Sequence, residues 1–477
     1  MIFDEMEFGA YDRAEHKAHK AYELYEEGKM AQALEALDAA LEINPANASW
    51  HFNKGLTLDA IGRFDEAVRE YEAALQFDPE DLEILNCLAV DYTRRGLYDL
   101  AIETFEYIEQ LDPDFEPSYC NRIIAYAEMG KHELAEQMFY LAQQIKPDCA
   151  LCYYNIGNSL FARGRAGQAV RCWLRTAELE PAHPQINYRI AQAYWSDGDL
   201  ERSREYFLAE LRLNPGDIEV IVDFGVLLLE LGDVESAKEK FNRAIELRPG
   251  FAPALFYLGE VAFNSGEYER AVELFEEALE RDNKLLGPSL RLAQYALGQG
   301  RVEQARGYLM YELRLEPESA EVLVSMGSMF LELGEMSYAT HCLLRAVDID
   351  GGCADAYYYL GIISAAQRMY DDAVRFFGHC LEVDGGHIRA LRDSALVWLL
   401  VGRVDLARRN ATKGLRLAPA DRQLQAVSWA VRALGLRRRL GRWGVRLCPG
   451  FVVCLLAFLW RFFGRVLRRR GGLVNRR

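Results

Sequence analysis

Proline is scarce in this sequence, with 14 residues among 477, while 51% of the residues are hydrophobic. Chains that stay disordered have few hydrophobic residues and are rich in proline, so this composition excludes a disordered chain. A single compact core rarely grows beyond about 250–300 residues. We therefore expect several domains or an array of repeats.

Acidic residues are absent after position 421. All 72 Asp and Glu lie in residues 1–421 beside 41 basic residues, whereas residues 422–477 contain 14 Arg and no Lys. The body therefore carries a formal charge of −31 and the tail one of +14. A body of this charge repels phosphate. Any affinity for nucleic acid or anionic lipid is predicted to lie in the tail, and nucleic acid is an improbable partner of the body.

The N-terminus lacks the features of a secretory signal. It begins MIFDEME, an acidic start where a signal peptide has a basic one followed by an apolar stretch. The sequence therefore predicts a cytoplasmic body. The ten Cys residues are scattered through the chain. This distribution predicts buried free thiols in a reducing compartment rather than a disulfide framework.

Motifs for catalysis and cofactor binding are also missing. The sequence contains no phosphate-binding loop, no dinucleotide-binding glycine pattern, no nucleophile elbow and no HExxH pair. Cys149 and Cys152 form one CxxC, but no second CxxC or paired His lies nearby to complete four zinc ligands. A redox pair usually lies in a βαβ context, which is absent here. We predict no enzyme activity, no cofactor and no metal. We expect Cys149 and Cys152 to be two free thiols.

A period of 34 residues runs through most of the chain. Twelve units of 34 residues cover 14–421 without an inserted residue. Ala, or once Ser203, lies five residues after a recurring Gly, and a bulky side chain usually follows four residues later. Arg368 interrupts the Gly series, which otherwise occupies positions 28, 62, 96, 130, 164, 198, 232, 266, 300, 334 and 402.

Each recurring residue has a physical role in a pair of helices. Gly ends the first helix, because it adopts positive φ without steric cost. The Ala allows a second helix to approach closely, and the bulky residue on the same face fills the remaining space. Pro, which closes most units, stops the second helix. The period therefore predicts a repeated pair of antiparallel helices.

These spacings resemble the tetratricopeptide repeat, whose small–aromatic–Ala–aromatic–Pro pattern the fifth unit shows in Tyr153, Gly157, Ala169, Trp173 and Pro181. The resemblance implies an all-α, right-handed superhelical solenoid of helix pairs over residues 14–421. It also implies a non-enzymatic scaffold for protein partners. Residues 1–13 precede the repeats as an N-terminal segment. The helical spacing of Leu424, Val427, Val431 and Leu434 predicts a capping helix over 422–436.

The resemblance further implies that the first helix of each pair lines a concave groove for extended peptides or partner helices. An amide in such a groove pairs both N–H and C=O of a bound backbone, and aromatic residues supply desolvated anchors. The alternative is that the aromatics pack against adjacent repeats and that the Asn residues are solvated. Carried over by position, the groove residues are Asn53, Asn121, Tyr154, Asn155, Asn158, Tyr188, Gln192, Trp195, Phe256, Glu260 and Phe263.

The final segment, residues 437–477, combines arginines with an uncharged run from Leu447 to Trp460. As a helix this run spans roughly 21 Å, shorter than the ~30 Å hydrocarbon layer. Arginines flank both ends and resist translocation, so we predict an anchor embedded in the cytosolic face of an anionic membrane. A single-pass tail anchor and a buried cap on the solenoid are alternatives. The predicted membrane residues are Arg446, Phe451, Leu455, Leu456, Phe458, Leu459, Trp460 and Arg461.

The sequence thus predicts a protein-interaction scaffold held at the cytosolic face of a membrane. One alternative is an RNA-associated adaptor that contacts phosphates through the Arg-rich tail. Another is a regulatory module for a partner enzyme.

Overall fold

The computed structural model describes the backbone of residues 2–441 and the side chains of residues 13–434. Between residues 2 and 441 the chain forms 25 α-helices and no strand. It divides into two compact parts, residues 1–237 and 238–477. The all-α class predicted from the sequence is confirmed.

The first part contains thirteen helices and the beginning of a fourteenth. They are α1 (Ile2–Glu26), α2 (Met30–Leu41), α3 (Ala48–Ala60), α4 (Phe64–Leu75), α5 (Leu82–Arg94), α6 (Tyr98–Leu111), α7 (Glu116–Glu128), α8 (His132–Ile145), α9 (Ala150–Ala162), α10 (Ala166–Leu179), α11 (Ile186–Ser196), α12 (Leu200–Leu213), α13 (Ile218–Glu230) and α14 (Val234–Leu247). The first helix begins at Ile2, so it includes most of the segment 1–13 that the sequence sets apart.

The described residues of the second part form the remaining helices. They are α15 (Ala252–Asn264), α16 (Tyr268–Arg281), α17 (Pro288–Gly298), α18 (Val302–Arg314), α19 (Ala320–Glu332), α20 (Met336–Ile349), α21 (Ala354–Ala366), α22 (Tyr370–Val383), α23 (Ile388–Leu400), α24 (Val404–Leu417) and α25 (Arg422–Gly441).

Helices pair along the chain within each part. In the first part α9 packs against α10, and α10 packs against α11; in the second part α21 packs against α22, and α22 against α23. Short connections make the two helices of a pair antiparallel. Several odd-numbered helices also contact the next odd-numbered helix, as α5 contacts α7 and α7 contacts α9 in the first part, and α19 contacts α21 in the second. We call the odd-numbered helices the first helices, because each begins one 34-residue repeat.

Helix α25, the last that the structure describes, covers the preceding helix pair of the second part. Leu424, Val427 and Val431 of α25 are buried, and Leu434 packs against the same cluster. That cluster is formed by residues of α23 and α24, including Leu396 and Ala407. The apolar face of α25 thus shields the apolar surface of the preceding pair from water.

Glycines end most of the first helices in the left-handed conformation. Eleven Gly residues of the 34-residue series have φ between 70° and 83°. Arg368, which interrupts the series, has φ of 65° and therefore adopts the same backbone conformation. The turn is therefore the same with Arg368 as with glycine. Because the left-handed conformation is unfavourable for a residue with a side chain, Arg368 carries backbone strain that glycine does not.

Replacing Arg368 by Gly is expected to raise the free energy of unfolding by about 0.5–1 kcal/mol. The left-handed conformation costs a non-glycine residue roughly 1–2 kcal/mol, and the freedom of Gly in the unfolded chain offsets part of this gain. Thermal unfolding measures the difference. Gly334→Ala makes the opposite exchange at the equivalent turn of the preceding repeat, where no neighbour obstructs a Cβ, and should lower Tm. A lower Tm for Arg368→Gly would contradict this account.

The two helices of a pair approach most closely where a Gly of the first helix faces a ring of the second. A Cβ on Gly157 would lie 2.5 Å from Nε1 of Trp173 and 2.7 Å from its Cδ1. Gly55, Gly259 and Gly361 face the rings of Tyr71, Phe275 and Phe377 in the same way. These distances are shorter than those of any real Cβ contact, so only glycine fits at these positions. The ring on the second helix therefore sets the distance between the two helices of the pair.

Gly157→Ala is expected to lower the free energy of unfolding by about 1–3 kcal/mol, because the added methyl group overpacks the site. Gly167→Ala is the matched control in the same repeat. Gly167 is an exposed residue of α10 with no atom within 4 Å of a Cβ, and its replacement should raise stability by about 0.5 kcal/mol. Denaturation of both variants gives the comparison, and equal effects would refute the close approach.

None of the helices in residues 2–441 is both long and apolar enough to cross a membrane. The predicted membrane residues, from Arg446 to Arg461, lie outside the residues that the structure describes.

Candidate functional site

One face of α9 and α11 contains five of the predicted groove residues. Tyr154 and Asn158 lie on α9, and Tyr188, Gln192 and Trp195 lie on α11. They occupy the fifth, ninth and twelfth positions of their repeats, an i, i+4, i+7 spacing that places side chains on one helical face. All five are half-buried. The structure therefore brings these predicted residues together on two consecutive first helices.

The second part has the same arrangement on α15. Phe256, Glu260 and Phe263 occupy the equivalent positions, and each is half-buried. Both carboxylate oxygens of Glu260 accept hydrogen bonds from Arg291 of α17, each at 2.6 Å. The Arg291 guanidinium also lies 5.9 Å from the centre of the Phe263 ring. On this face an ion pair therefore lies beside the Phe263 ring.

The predicted Asn residues occupy the sixth position of their repeats, about 100° around the helix from the fifth. Asn155 is only 4% exposed, and its amide N–H donates to the Cys120 carbonyl at 3.0 Å. Asn121 donates to Oδ1 of Asn86 at 3.1 Å. Asn53 lines a small cleft beside α1. All three amides face the preceding repeat, and those of Asn121 and Asn155 join neighbouring first helices by hydrogen bonds.

Two aromatic residues of the face are fixed by hydrogen bonds to the next first helix. The Tyr188 hydroxyl donates to Oδ2 of Asp223 at 2.6 Å, and the Trp195 indole N–H donates to Oε2 of Glu230 at 2.8 Å. Burial, together with the Asp223 carboxylate, raises the pKa of Tyr188. Both rings also pack edge-on against Phe207 of α12. The rings are therefore held in place by the fold itself.

Two amide side chains of the face have no partner in the described part of the chain. Asn158 and Gln192 are half-buried, and neither side chain forms a hydrogen bond with another described residue. An amide offers both a donor and an acceptor. The arrangement therefore combines positioned aromatic rings with amides that are available to a ligand's backbone.

The cysteines near this face differ from the prediction. Cys120 and Cys152 form a disulfide with a Cα–Cα distance of 5.0 Å, so the prediction of free thiols is wrong for these two residues. Cys149 remains a buried free thiol. Burial and a hydrogen bond with Glu116 raise the pKa of Cys149 to about 11. The pairing is not evident from the sequence because Cys120 belongs to the preceding repeat, and repeat stacking brings it beside Cys152.

The sequence pattern of the tetratricopeptide repeat family matches residues 19–82, 54–116, 154–218, 222–285 and 290–339. A second pattern of the same description matches residues 262–310. Together the matched segments cover more than half of the chain. This chain belongs to the tetratricopeptide repeat family. The predicted family is thus confirmed, and the first helices described above are those of tetratricopeptide repeats.

One curated relative is the human protein O-mannosyl-transferase TMTC3, which is 26% identical over 127 residues. The match covers 26% of this chain and 14% of the relative, so it spans about one-seventh of that protein's length.

Several solved structures also resemble this chain. The Cut9–Hcn1 hetero-tetramer of the APC/C shows 15% identity over 88% of this chain and 96% of that chain, with a TM-score of 0.45. Yeast Tom70 shows 14% identity over 89% and 96%, with a TM-score of 0.40. A thermophilic tetratricopeptide repeat protein of Thermus thermophilus, TTC0263, shows 26% identity over 38% and 99%, with a TM-score of 0.35.

Proposed function

We propose that this protein is a non-enzymatic scaffold that binds an extended peptide or a partner helix on its first helices. The binding face is centred on repeats four to six, residues 116–217. The observation that carries the proposal is the pair of unpartnered amides, Asn158 and Gln192, flanked by the rings of Tyr154, Tyr188 and Trp195. Tetratricopeptide repeat proteins bind protein partners in this groove, which supports the same use here.

Two energetic arguments favour this face as the binding surface. Aromatic side chains that lose water on binding supply most of the affinity of an interface. Tyr188 and Trp195 are already oriented by Asp223 and Glu230, so little side-chain entropy remains to be lost when a partner binds. The amides of Asn158 and Gln192 then fix the direction of the bound backbone without reading its sequence.

Truncating Tyr154, Asn158 and Trp195 to Ala is expected to weaken peptide binding by about 30-fold or more, the effect of losing about 2 kcal/mol. The probe is a peptide selected on the wild-type protein from a phage-displayed random library. Its affinity for each variant is measured by titration calorimetry.

Two further variants make the test independent of folding. Asn158→Ala with Gln192→Ala removes only the two unpartnered amides and should still weaken binding. Tyr140→Ala removes a ring that is 61% exposed on α8, a second helix, and should leave binding unchanged. Unchanged affinity in both the triple and the amide variants would refute the proposed face.

We further propose that the tail, residues 437–477, attaches the scaffold to an anionic membrane surface. The sequence supports this proposal through the run from Leu447 to Trp460 and the arginines on both sides of it. Flotation with vesicles of phosphatidylcholine and phosphatidylserine tests it. The full chain should float with the vesicles even at high salt, and a chain ending at residue 436 should not. Binding to RNA that weakens steeply with salt, without flotation, would favour the RNA-adaptor alternative instead.

A further inference from the structure

Four side chains that commonly bind metals meet where the fourth and fifth repeats join. They are Glu116, Cys120, Cys149 and Cys152, and their ligand atoms all lie within 4.8 Å of one another. The three Cys residues are buried and Glu116 is half-buried. Within the part of the chain that the structure describes, this is the one such group of three or more residues.

The fold brings these residues together from two first helices. Glu116 is the first residue of α7, and Cys120 follows one turn later. Cys149 is the N-cap residue of α9, and Cys152 lies in its first turn. α7 contacts α9, and the four ligand atoms meet at the starting turns of these two helices. The cluster therefore results from the repeat architecture together with residue types that the repeat pattern does not require.

The distances suit a small tetrahedral ion. Zinc lies about 2.3 Å from sulfur, so two thiolates on one zinc are about 3.7 Å apart. The Cys120 and Cys149 sulfurs are 3.4 Å apart. Oε1 of Glu116 lies 2.7 Å from the Cys120 sulfur and 3.2 Å from the Cys152 sulfur. Once the disulfide is reduced, the Cys120 and Cys152 sulfurs must move apart to reach tetrahedral spacing.

We propose that the reduced cluster of Glu116, Cys120, Cys149 and Cys152 binds one structural Zn²⁺ ion. Four protein ligands close the coordination sphere, which is typical of a structural rather than a catalytic zinc site. The ion joins the starting turns of α7 and α9 beside the face that contains Tyr154. This proposal does not depend on the proposed partner-binding function.

Zinc binding requires that the Cys120–Cys152 disulfide is reduced and that the thiols lose their protons. The disulfide first takes up two electrons and two protons to give two thiols, and a phosphine reductant supplies the electrons in the experiment below. The three thiols then release three protons as three Zn–S bonds form, and the Glu116 carboxylate supplies the fourth bond. The disulfide and the zinc site are thus alternative states of the same residues.

The surroundings stabilise the negative charge of the bound state. Three thiolates and one carboxylate leave a charge of −2 around the ion. The positive ends of the α7 and α9 dipoles lie at the cluster. The backbone N–H of Cys152 donates to the Cys149 sulfur at 3.3 Å. Lys146 lies close enough to act electrostatically on Cys149. These groups offset part of the cost of placing thiolates at a buried site, where burial by itself favours the neutral thiol.

Zinc content of the full chain, purified with zinc and a phosphine reductant, tests the proposal. Mass spectrometry of the metal should find one zinc per chain. Cys149→Ser should lower the zinc affinity at least about tenfold. Cys172→Ser changes a half-buried thiol of the same repeat that lies outside the cluster, and it should bind zinc like the wild type. Circular dichroism confirms that each variant is folded.

Cobalt gives a readout that does not depend on a variant. Co²⁺ added to the reduced, metal-free chain should show the intense absorption of a tetrahedral thiolate site. A weak octahedral spectrum, or zinc uptake equal in wild type and Cys149→Ser, would overturn the proposal. So would a thiol titration that finds eight rather than ten free thiols in the metal-free chain after reduction, because the disulfide would then persist.

Discussion

Replacing Trp173 by Ala should lower the free energy of unfolding by about 3–5 kcal/mol, as expected for a fully buried large aromatic residue. Trp173 is 1% exposed and packs between Gly157 and Phe161. Its indole N–H donates to the Tyr154 carbonyl at 3.3 Å. Truncation therefore opens a cavity and removes the ring that sets the distance between α9 and α10. Chemical denaturation followed by circular dichroism measures the loss.

The region that loses stability in the Trp173→Ala variant is a second test of the repeat architecture. Each repeat contacts only its neighbours, so the loss should be local. Hydrogen exchange should increase mainly in α9, α10 and α11. Tyr140→Ala removes an exposed ring and should change stability by no more than about 0.5 kcal/mol. A loss of protection spread evenly over residues 14–237 would contradict a stacked architecture in this part.

Replacing Asp393 by Ala should lower the free energy of unfolding by about 3–5 kcal/mol, because it leaves a buried charge without its partner. Arg392 is 8% exposed and Asp393 is 3% exposed. The Arg392 guanidinium donates to both oxygens of Asp393, at 2.8 and 2.9 Å, and the Tyr358 hydroxyl donates to Oδ2 at 3.0 Å. Thermal unfolding of the variant measures the loss.

A double variant separates the charge from the packing. Arg392→Met with Asp393→Leu replaces both charges by apolar groups of similar volume and should recover most of the lost stability. If the double variant were as unstable as Asp393→Ala, lost packing rather than the stranded arginine would explain the result.

The 34-residue period was sufficient to predict the helix pairs and their turns, because each recurring residue acts within its own repeat. Gly157 faces Trp173 across one pair, and both positions follow directly from the period. Even Arg368, the exception in the series, keeps the turn that the pattern requires. Residues that recur at the same position of each repeat therefore specify the same local structure in each repeat.

Features that depend on contact between repeats were not predicted. The Asn residues at the sixth position face the preceding repeat, a direction that depends on how the first helices stack. The Tyr358 hydroxyl donates to Oδ2 of Asp393, which lies in the following repeat, at 3.0 Å. The Cys cluster likewise combines two repeats. A sequence pattern does not reveal such contacts, because the two residues of each contact lie about 30 positions apart in the chain.

Photocrosslinking most directly tests the claim that the first helices hold the partner. A benzophenone amino acid is placed at Asn158, at Gln192 or at Tyr140, and each protein is irradiated with the display-selected peptide at saturation. The account predicts peptide adducts at Asn158 and Gln192 and none at Tyr140. Adducts at Tyr140, with none at the two amide positions, would contradict it.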